Sequence, residues 1–395
     1  MTRLSFRYNF YSDCGLLFIK RWRKIRFLNK FMRILFLTRF GQQGASSRMR
    51  SFQYLPLFES EGISCVVSIL FNDSMLLRKY QNGGYSFLEL LSGYWRRIQA
   101  LTEVQQFDLV WIEKEALPWF PLWFERWLLS RARYVMDFDD AIFHKYDQHA
   151  NSVVRRLFRR RLDQLMANAA LVIGGNNYLA QRARDAGAQW VEVLPTVIDL
   201  IRYSNIPRTV PTAFIPSMST DGIPRIVWIG SPSTVHYLQL LLEPLKALAV
   251  RQPFILRVIG GGALDLPGVQ VEAVPWAEDT EVENISTCQV GVMPLVDSLW
   301  ERGKCGYKLI QYMACGLPVV ASGVGVNPEI VRDGESGFLA GTPQEWVNAL
   351  GTLLSNPSLR IQMGARGRQQ VENEYCLQKT GPRMAQLLRA VSRNS

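Results

Sequence analysis

The feature that most constrains the fold is a repeated alternation of short apolar runs with helical segments. The runs are rich in Val, Ile and Leu and are mostly continuous rather than alternating with polar residues. That pattern is typical of strands in a parallel sheet covered by helices on both faces. The alternation occurs in two series, so the sequence predicts an α/β protein with two Rossmann-like, doubly wound parallel-sheet domains. The predicted strands are 33–38, 63–70, 108–115, 133–140, 171–176 and 191–198, then 225–230, 254–261, 269–275, 290–295, 317–322 and 337–340.

A segment rich in Pro, Ser and Thr separates the two series and is predicted to be a linker at 206–224. The domains are therefore expected at 32–205 and 225–375, with a C-terminal helix at 376–395 that packs back on the first domain. Ligands of open α/β sheets bind outside the carboxyl ends of the strands. We therefore expect the two domains to face a central cleft that holds the functional residues.

The basic charge of the chain is concentrated near its beginning. Residues 1–31 carry eight basic residues and one acidic residue, a net charge of +7 out of +11 for the whole chain. The remaining +4 argues against nucleic acid as a partner, because a nucleic-acid-binding protein concentrates basic charge on one folded face. Two interpretations of this leader stay open. It is either a basic, aromatic arm that touches anionic lipid, or the product of a misplaced translation start, with Met32 as the true first residue.

Cysteine and histidine usage points away from metal and disulfide chemistry. The six cysteines show no C-x-x-C pair and no metal-ligand spacing, and there are three histidines. Reduced thiols in a cytoplasmic protein and no metal site are therefore expected. No apolar run reaches the roughly 18 residues that a membrane span needs. Peripheral contact with the inner face of the plasma membrane stays open beside a purely cytoplasmic location.

Two strand-to-helix turns have the composition of anion-binding loops. The first predicted strand runs into Gly41 and Gly44, followed by Arg48. Glycines in such turns let backbone amides approach a phosphate, although a plain turn explains the same residues. In the second series, Gly230 is followed by Ser231 and Thr234, which bind an anion or simply cap the next helix.

The stretch "RGKCGYKLIQYMACGLPVVAS" (302–322) carries the most specific pattern. Glycines lead into a predicted helix, and Gly-Leu-Pro ends it before a buried strand. Lys304, Lys308 and Gln311 fall at i, i+4 and i+7, so they are predicted to share one helical face. Lysines near a helix N-terminus suit a diphosphate, and a neutral Gln suits a hydroxyl. The alternative is a solvated lysine face.

Carboxylates also cluster in the first series, in "MDFDDAIFHKYD" (136–147). Asp139, Asp140 and His144 follow a predicted strand. Paired acids beside a histidine suggest acid–base or ligand-binding chemistry. A structural network of helix caps and hydrogen bonds is the alternative.

Residues 304–340 resemble the donor-site signature of the family 4 (group 1) retaining glycosyltransferases, which have two Rossmann-like domains in the GT-B arrangement. "FLTRFGQQGASSRMR" resembles the family's first glycine loop, and "LPTVIDLIRY" resembles the end of its first domain. The resemblance extends from Met32 to about residue 375. Two departures stand out. Gly303 and Gln311 occupy the positions of two glutamates in the family pattern, and Ser231 with Thr234 replaces the usual Arg and Lys.

The resemblance implies a role for each matched residue. Lys308 would meet the diphosphate and Gln311 the ribose, while Glu301 is the nearest substitute for the first glutamate. The reaction would need no metal, no cofactor and no protein nucleophile. The resulting assignments are catalytic residues Lys308, Glu301, His144 and Asp140; donor-binding residues Gly230, Ser231, Thr234, Lys304, Gln311, Gly323, Gly325 and Glu329; and phosphate-loop or acceptor residues Gly41, Gly44, Arg48 and Asp139.

The expected function is transfer of a sugar, with retention, from a nucleotide sugar to a lipid-linked or polysaccharide acceptor in bacterial surface glycan synthesis. The second domain would bind the donor and the first the acceptor. Two alternatives stay open: a nucleotide-sugar epimerase of the same fold and a catalytically inactive donor-binding subunit. The clusters "WFPLWFERW" and "RRLFRRR" would suit contact with an anionic membrane. Core packing of the aromatics and solvation of the arginines are the competing interpretations.

Overall fold

The computed structural model describes residues 32–204 and 222–393. The predicted leader and most of the predicted linker lie outside this range. The chain divides into two compact units. Unit 1 comprises the chain up to Leu194 together with the segment from Gly381 onward, and unit 2 runs from Pro195 to Thr380.

Unit 1 is built on a six-stranded sheet in which every neighbouring pair of strands is parallel. The central strands are buried along their whole length, as expected for apolar runs covered on both faces. The strands are β1 (Met32–Phe40), β2 (Ile63–Phe71), β3 (Leu109–Glu113), β4 (Tyr134–Phe138), β5 (Leu171–Gly174) and β6 (Val191–Val193). Their order across the sheet is β2-β1-β3-β4-β5-β6.

The helices of unit 1 connect these strands. The predicted helix across "VVRRLFRRRLDQLMANA" forms as two helices that meet at Arg159 and Arg160. Asn72, Asn151 and Asn176 each cap a following helix by accepting a hydrogen bond from a backbone amide. The helices are α1 (Ala45–Arg50), α2 (Leu55–Ser60), α3 (Asp73–Asn82), α4 (Phe87–Thr102), α5 (Leu122–Leu129), α6 (His144–Asp147), α7 (Ser152–Phe158), α8 (Arg161–Ala167) and α9 (Asn177–Asp185).

Unit 2 repeats the architecture with a second six-stranded parallel sheet. Its strands are β7 (Arg225–Ile229), β8 (Ile255–Ile259), β9 (Val271–Val274), β10 (Val290–Met293), β11 (Val319–Ala321) and β12 (Gly337–Leu339), in the order β12-β11-β10-β7-β8-β9. A 3₁₀ helix follows β7 at Val235–Leu241. The α-helices are α10 (Leu242–Ala249), α11 (Glu281–Ser286), α12 (Leu299–Arg302), α13 (Tyr307–Ala314), α14 (Asn327–Ile330), α15 (Pro343–Ser355) and α16 (Pro357–Glu374).

The last described helix, α17 (Leu377–Arg393), begins in unit 2 and belongs to unit 1 from Gly381 onward. Met384, Leu388 and Val391 are buried on one side of it. Arg389 pairs with Glu61 at 2.8 Å, and Arg383 pairs with Glu192 at 2.8 Å. Unit 1 is therefore assembled from two separate stretches of the chain.

Each sheet has one point at which the strand order reverses. In unit 1 the reversal lies between β1 and β3, and in unit 2 it lies between β7 and β10. The loops that leave neighbouring strands on opposite sides of such a point diverge and leave room for a ligand. The two switch points therefore locate the regions in which functional side chains are expected.

Candidate functional site

Lys308 stands at the switch point of unit 2. Its Nζ lies 4.4 Å from the centroid of the Trp228 ring, a cation–π contact. A Cβ atom added to Gly230 would lie 3.0 Å from that Nζ and 2.5 Å from the Trp228 ring. Glycine at 230 therefore leaves the space in which the ammonium group rests against the end of β7.

Lys304 does not share the helical face of Lys308 and Gln311, and that prediction is wrong. It lies in the loop between α12 and α13, because α13 begins only at Tyr307, after Gly306 in the left-handed conformation (φ 63°). The Nζ of Lys304 lies 5.8 Å from the centroid of the Tyr237 ring. Lys308 thus contacts β7 and Lys304 contacts the 3₁₀ helix that follows it, so the two lysines reach neighbouring parts of the chain from different elements.

Glu301 is a buried support for this region. Tyr237 donates a hydrogen bond from its hydroxyl to Oε1, and Ser298 donates one to Oε2. The carboxylate therefore fixes the ring that Lys304 contacts. The resemblance implies a direct contact between Glu301 and a sugar, and that role stays a prediction; in the structure each carboxylate oxygen accepts a hydrogen bond from the protein.

The loop after β7 is ordered by its own side chains. Ser231 Oγ lies 2.8 Å from Ser233 Oγ, and Thr234 Oγ1 donates to the Ser231 carbonyl at 3.1 Å. Thr234 makes no side-chain cap on the 3₁₀ helix that begins at Val235. Its hydroxyl closes the loop instead, so the alternative that Thr234 is a helix cap does not hold.

The glycine loop after β11 packs on the end of α12. Gly325 has φ 58°, and a Cβ atom there would lie 3.0 Å from the Arg302 carbonyl oxygen. Around Gly323 there is open space, and this residue is exposed. Glu329 is also exposed, in the first turn of α14. The close approach at Gly325 holds this loop against the end of α12, whereas Gly323 is open to solvent.

Gln311 lies on α13, three residues beyond Lys308, and is only 3% exposed. Burying a carboxylate at this depth without a partner would cost far more free energy than burying a neutral amide. The depth of the position gives a physical reason for a neutral residue here.

In unit 1, the first glycine loop does not have the geometry of a phosphate cradle. A Cβ atom on Gly41 would lie 2.4 Å from the Asp73 carboxylate, which accepts a hydrogen bond from the Gln43 amide at 3.0 Å. The Gly44 amide donates to the Gly41 carbonyl, and Arg48 donates to the Gln42 carbonyl. A carboxylate already occupies the loop, so the plain turn is the better interpretation.

Asp139 and Asp140 come together with a residue that the sequence analysis did not single out. The Nζ of Lys114 lies 2.8 Å from Asp139 and 3.3 Å from Asp140, and it donates to Ser46 Oγ at 2.9 Å. Burial alone would lower the pKa of Lys114, but the two carboxylates raise it above its ordinary value. The sequence signal was present in "WIEKEA", where three consecutive charged residues stand at the end of a buried strand.

His144 is engaged within unit 1. Its Nδ1 lies 2.7 Å from Asp147 and its Nε2 lies 2.8 Å from the Tyr178 hydroxyl. The ring is buried and uses both nitrogens, which is the arrangement of a structural histidine.

Glu113, at the end of β3, gives unit 1 a pH-dependent stability. Burial raises the pKa of this carboxyl to about 7. An acid whose pKa is higher in the folded state stabilises the fold at low pH, and this contribution is lost as the pH rises through the folded value. The shift from 4.5 to about 7 corresponds to about 3 kcal/mol. We expect the stability of Glu113→Gln, measured by thermal unfolding, to fall less than that of wild type between pH 5 and about pH 7.5. If the unfolding midpoints of wild type and Glu113→Gln changed equally with pH across that interval, the assignment would be contradicted.

The described residues contain neither a metal-site grouping nor a membrane-spanning helix. Between residues 32 and 204 and between 222 and 393, no three or more His, Cys, Asp and Glu side chains are grouped as a metal site would require. No helix in the same ranges is both long and apolar enough to cross a membrane.

Comparison with known proteins agrees with the resemblance drawn from the sequence. Residues 223–356 match the family model described as Glycosyl transferases group 1. A D-inositol 3-phosphate glycosyltransferase of Corynebacterium jeikeium is 43% identical over 226 residues, which cover 51% of this chain and 53% of that protein. A GDP-mannose-dependent alpha-(1-6)-phosphatidylinositol monomannoside mannosyltransferase of Mycolicibacterium smegmatis is 36% identical over 85 residues, 21% of this chain and 22% of that protein. The chain thus spans about half the length, or less, of these curated relatives.

Solved structures confirm the predicted fold class of two Rossmann-like domains. Anabaena HepE in complex with UDP and glucose has a TM-score of 0.65 and 16% identity, covering 91% of this chain and 100% of that one. Sucrose-phosphate synthase of Thermosynechococcus elongatus has a TM-score of 0.63 and 15% identity, covering 92% of this chain and 100% of that one. At such identities the likeness shows the shared GT-B-type fold alone. The chain therefore has this fold, and within it residues 223–356 match the model of the group 1 glycosyltransferases.

Proposed function

We propose that this protein transfers a sugar from a nucleotide-sugar donor to an acceptor, with retention of configuration. The observation that carries the proposal is the placement of Lys308 against Gly230 at the switch point of unit 2. Lys304 beside Tyr237 adds a second cation. The structural neighbour HepE was solved in complex with UDP and glucose, which supports a nucleotide-sugar donor here.

In this mechanism the chain's residues act on the leaving diphosphate. The ammonium groups of Lys308 and Lys304 would offset the charge that develops as the bond to the sugar breaks. Cations held in place before the reaction need no reorganisation when that charge appears. The donor phosphate itself would take the acceptor proton, so the proposal includes no metal ion, no cofactor and no protein nucleophile.

We propose a lipid-linked or glycan acceptor, used in bacterial surface glycan synthesis and bound by unit 1. One relative is a phosphatidylinositol monomannoside mannosyltransferase, which supports a lipid-linked class. Trp123 and Trp127 of α5 are 72% and 65% exposed, and Arg156, Arg159 and Arg160 are exposed nearby in sequence. Exposed tryptophans and arginines suit contact with an anionic membrane surface.

A donor-binding protein without transferase activity is the second candidate. Gly303 and Gln311 favour it, because they stand where the family pattern has glutamates. Such a protein would bind the nucleotide sugar without consuming it. Product analysis after incubation with donor therefore separates the two candidates.

A thermal-shift screen against nucleotide sugars tests the proposal. A ligand that binds only the native state raises the unfolding midpoint by mass action. We expect one or a few nucleotide sugars to raise the midpoint, with the matching nucleoside diphosphate giving a smaller rise. The absence of a shift with every nucleotide sugar would overturn the proposal.

Gln311→Glu tests the reason for the neutral side chain. A carboxylate at this buried position, three residues from Lys308, should repel the donor phosphates and weaken binding of UDP by about tenfold. Calorimetric titration with UDP and with UMP measures the effect, and the loss should be larger for UDP, which carries more charge. Equal affinities of wild type and variant for UDP would mean that the amide is only tolerated.

A further inference from the structure

The loop between β3 and α5, residues 114–121, has an unusual backbone. Lys114 has φ 64° and Trp119 has φ 65°, and no other non-glycine residue of the described chain has a positive φ. Side chains larger than that of glycine are strained in this conformation. Such strain persists only where the surroundings hold the backbone firmly, and it concentrates at functional sites.

Buried charged groups hold this loop from several sides. Arg161 donates to the carbonyls of Leu117 at 2.6 Å and Phe120 at 3.1 Å, and Arg97 donates to the Ala116 carbonyl at 3.0 Å. The carboxylate of the buried Glu125 accepts from the Ala116 and Leu117 amides at 3.0 and 3.2 Å. The loop is therefore fixed before any ligand arrives.

At one end of the loop, Lys114 orients a carboxylate at the surface. The Lys114 and Asp139 side chains are only 6% and 12% exposed, whereas that of Asp140 is 30% exposed. Asp139 also accepts a hydrogen bond from Ser46 at 2.5 Å. Lys114 is thus a positioning residue, and Asp140 is the member of the cluster that solvent and ligands reach most easily.

At the other end, the loop presents an aromatic ring. Trp119 is 48% exposed, and its ring makes T-shaped contacts with the rings of Tyr146, His149 and Phe158, at centroid distances of 4.9, 5.9 and 6.2 Å. The Tyr146 hydroxyl donates to Glu115 at 2.7 Å, which ties this aromatic group to the residue next to Lys114. The five residue-to-residue steps from Lys114 to Trp119 span at most about 18 Å, within reach of one short oligosaccharide.

An exposed ring and a fixed carboxylate on one rigid loop are complementary to a saccharide. The C–H groups on one face of a pyranose carry partial positive charge and pack on the electron-rich face of an aromatic ring. Sugar hydroxyls donate hydrogen bonds to a carboxylate, and charge-assisted bonds of this kind are strong.

We propose that the loop 114–121 forms a subsite for an uncharged pyranose unit, which stacks on Trp119 while a hydroxyl of the same or the adjoining unit donates to Asp140. This inference rests on the proposed function, in which the saccharide belongs to the acceptor. It adds the location of the acceptor subsite in unit 1 and the chemical class that this subsite selects.

The test is saturation-transfer NMR on the full chain with methyl β-D-glucopyranoside, methyl β-D-galactopyranoside, methyl α-D-mannopyranoside and lactose. We expect saturation of the ring protons of at least one probe, reduced about fivefold or more in Trp119→Ala and restored in Trp119→Phe. Asp140→Asn should also weaken the signal. Trp95→Ala, which removes a 62% exposed tryptophan from α4, is the matched control and should behave as wild type.

Three results would overturn the inference. These are no saturation of any probe by wild type, equal saturation by Trp119→Ala and wild type, and equal losses of saturation in Trp119→Ala and Trp95→Ala.

Sedimentation with phosphatidylcholine–phosphatidylglycerol vesicles tests the competing role of Trp119, which is contact with lipid. If Trp119→Ala loses vesicle binding but keeps probe saturation, the ring contacts lipid and the subsite is refuted. If nucleotide sugars raise the unfolding midpoint but no probe is saturated, the subsite alone is refuted. If a probe is saturated but no nucleotide sugar raises the midpoint, the donor proposal alone is refuted.

Discussion

Lys308→Ala is expected to lower kcat for sugar transfer by about 10²-fold or more, because a preorganised cation at the leaving group acts mainly on the transition state. The protein should remain folded, since the lysine is only partly buried and rests against the face of Trp228 rather than inside the apolar core. Turnover is measured with the nucleotide sugar that gives the largest thermal shift.

Two further variants make the Lys308 result specific. Lys308→Arg keeps the charge but changes its shape and should recover part of the activity. Lys246→Ala removes a surface lysine of α10 that pairs with Glu243 at 3.1 Å, and it should leave kcat unchanged. Near-normal turnover in Lys308→Ala would refute the role of this residue at the diphosphate.

Arg161→Met should destabilise the protein by about 3–5 kcal/mol, because it leaves buried carboxylates without their cation. Arg161 is 1% exposed. It pairs with Glu115 at 2.8 Å and contacts Glu125 still more closely. Urea unfolding followed by circular dichroism and tryptophan fluorescence measures the loss.

The double variant Arg161→Met/Glu125→Gln separates the charge effect from lost packing. Removal of one of the two buried carboxylates that have lost their cation should restore part of the stability that the single variant loses. Arg182→Met is the control, since its pairs with Asp163 and Asp147 are partly exposed and should contribute about 1 kcal/mol or less. If Arg161→Met were no less stable than Arg182→Met, the buried network would not hold the loop.

The architecture was predictable because it depends on local patterns. Continuous apolar runs identified all six strands in each sheet approximately, and only their ends shifted. The run at 108–115 ends as a strand at Glu113, where Lys114 adopts a positive φ. The run at 191–198 ends at Val193, shortly before Pro195, which cannot donate a ladder hydrogen bond. These strand ends depend on single residues, which the periodicity of apolar residues does not reveal.

The sites were less predictable because their partners are distant in the chain. In "RRLFRRR" the five arginines are equivalent by sequence, yet Arg161 pairs with carboxylates 36 and 46 residues away. In "WFPLWFERW" the tryptophans at 123 and 127 are exposed, while Glu125 between them is buried. Likewise, the spacing of Lys304 and Lys308 suggested one helix, but Gly306 starts the helix after Lys304. Burial and pairing of this kind arise from tertiary contacts.

The division of unit 1 between two stretches of chain has a consequence for how the protein is made. Its core includes Met384, Leu388 and Val391, which the ribosome adds after the whole of unit 2. Domains generally fold as units while the chain emerges. Unit 2 can therefore complete its folding first. The sheet of unit 1 is synthesised earlier, but part of its apolar surface stays uncovered until α17 has been made. We therefore expect chaperones to be needed mainly by the first half of the chain during synthesis.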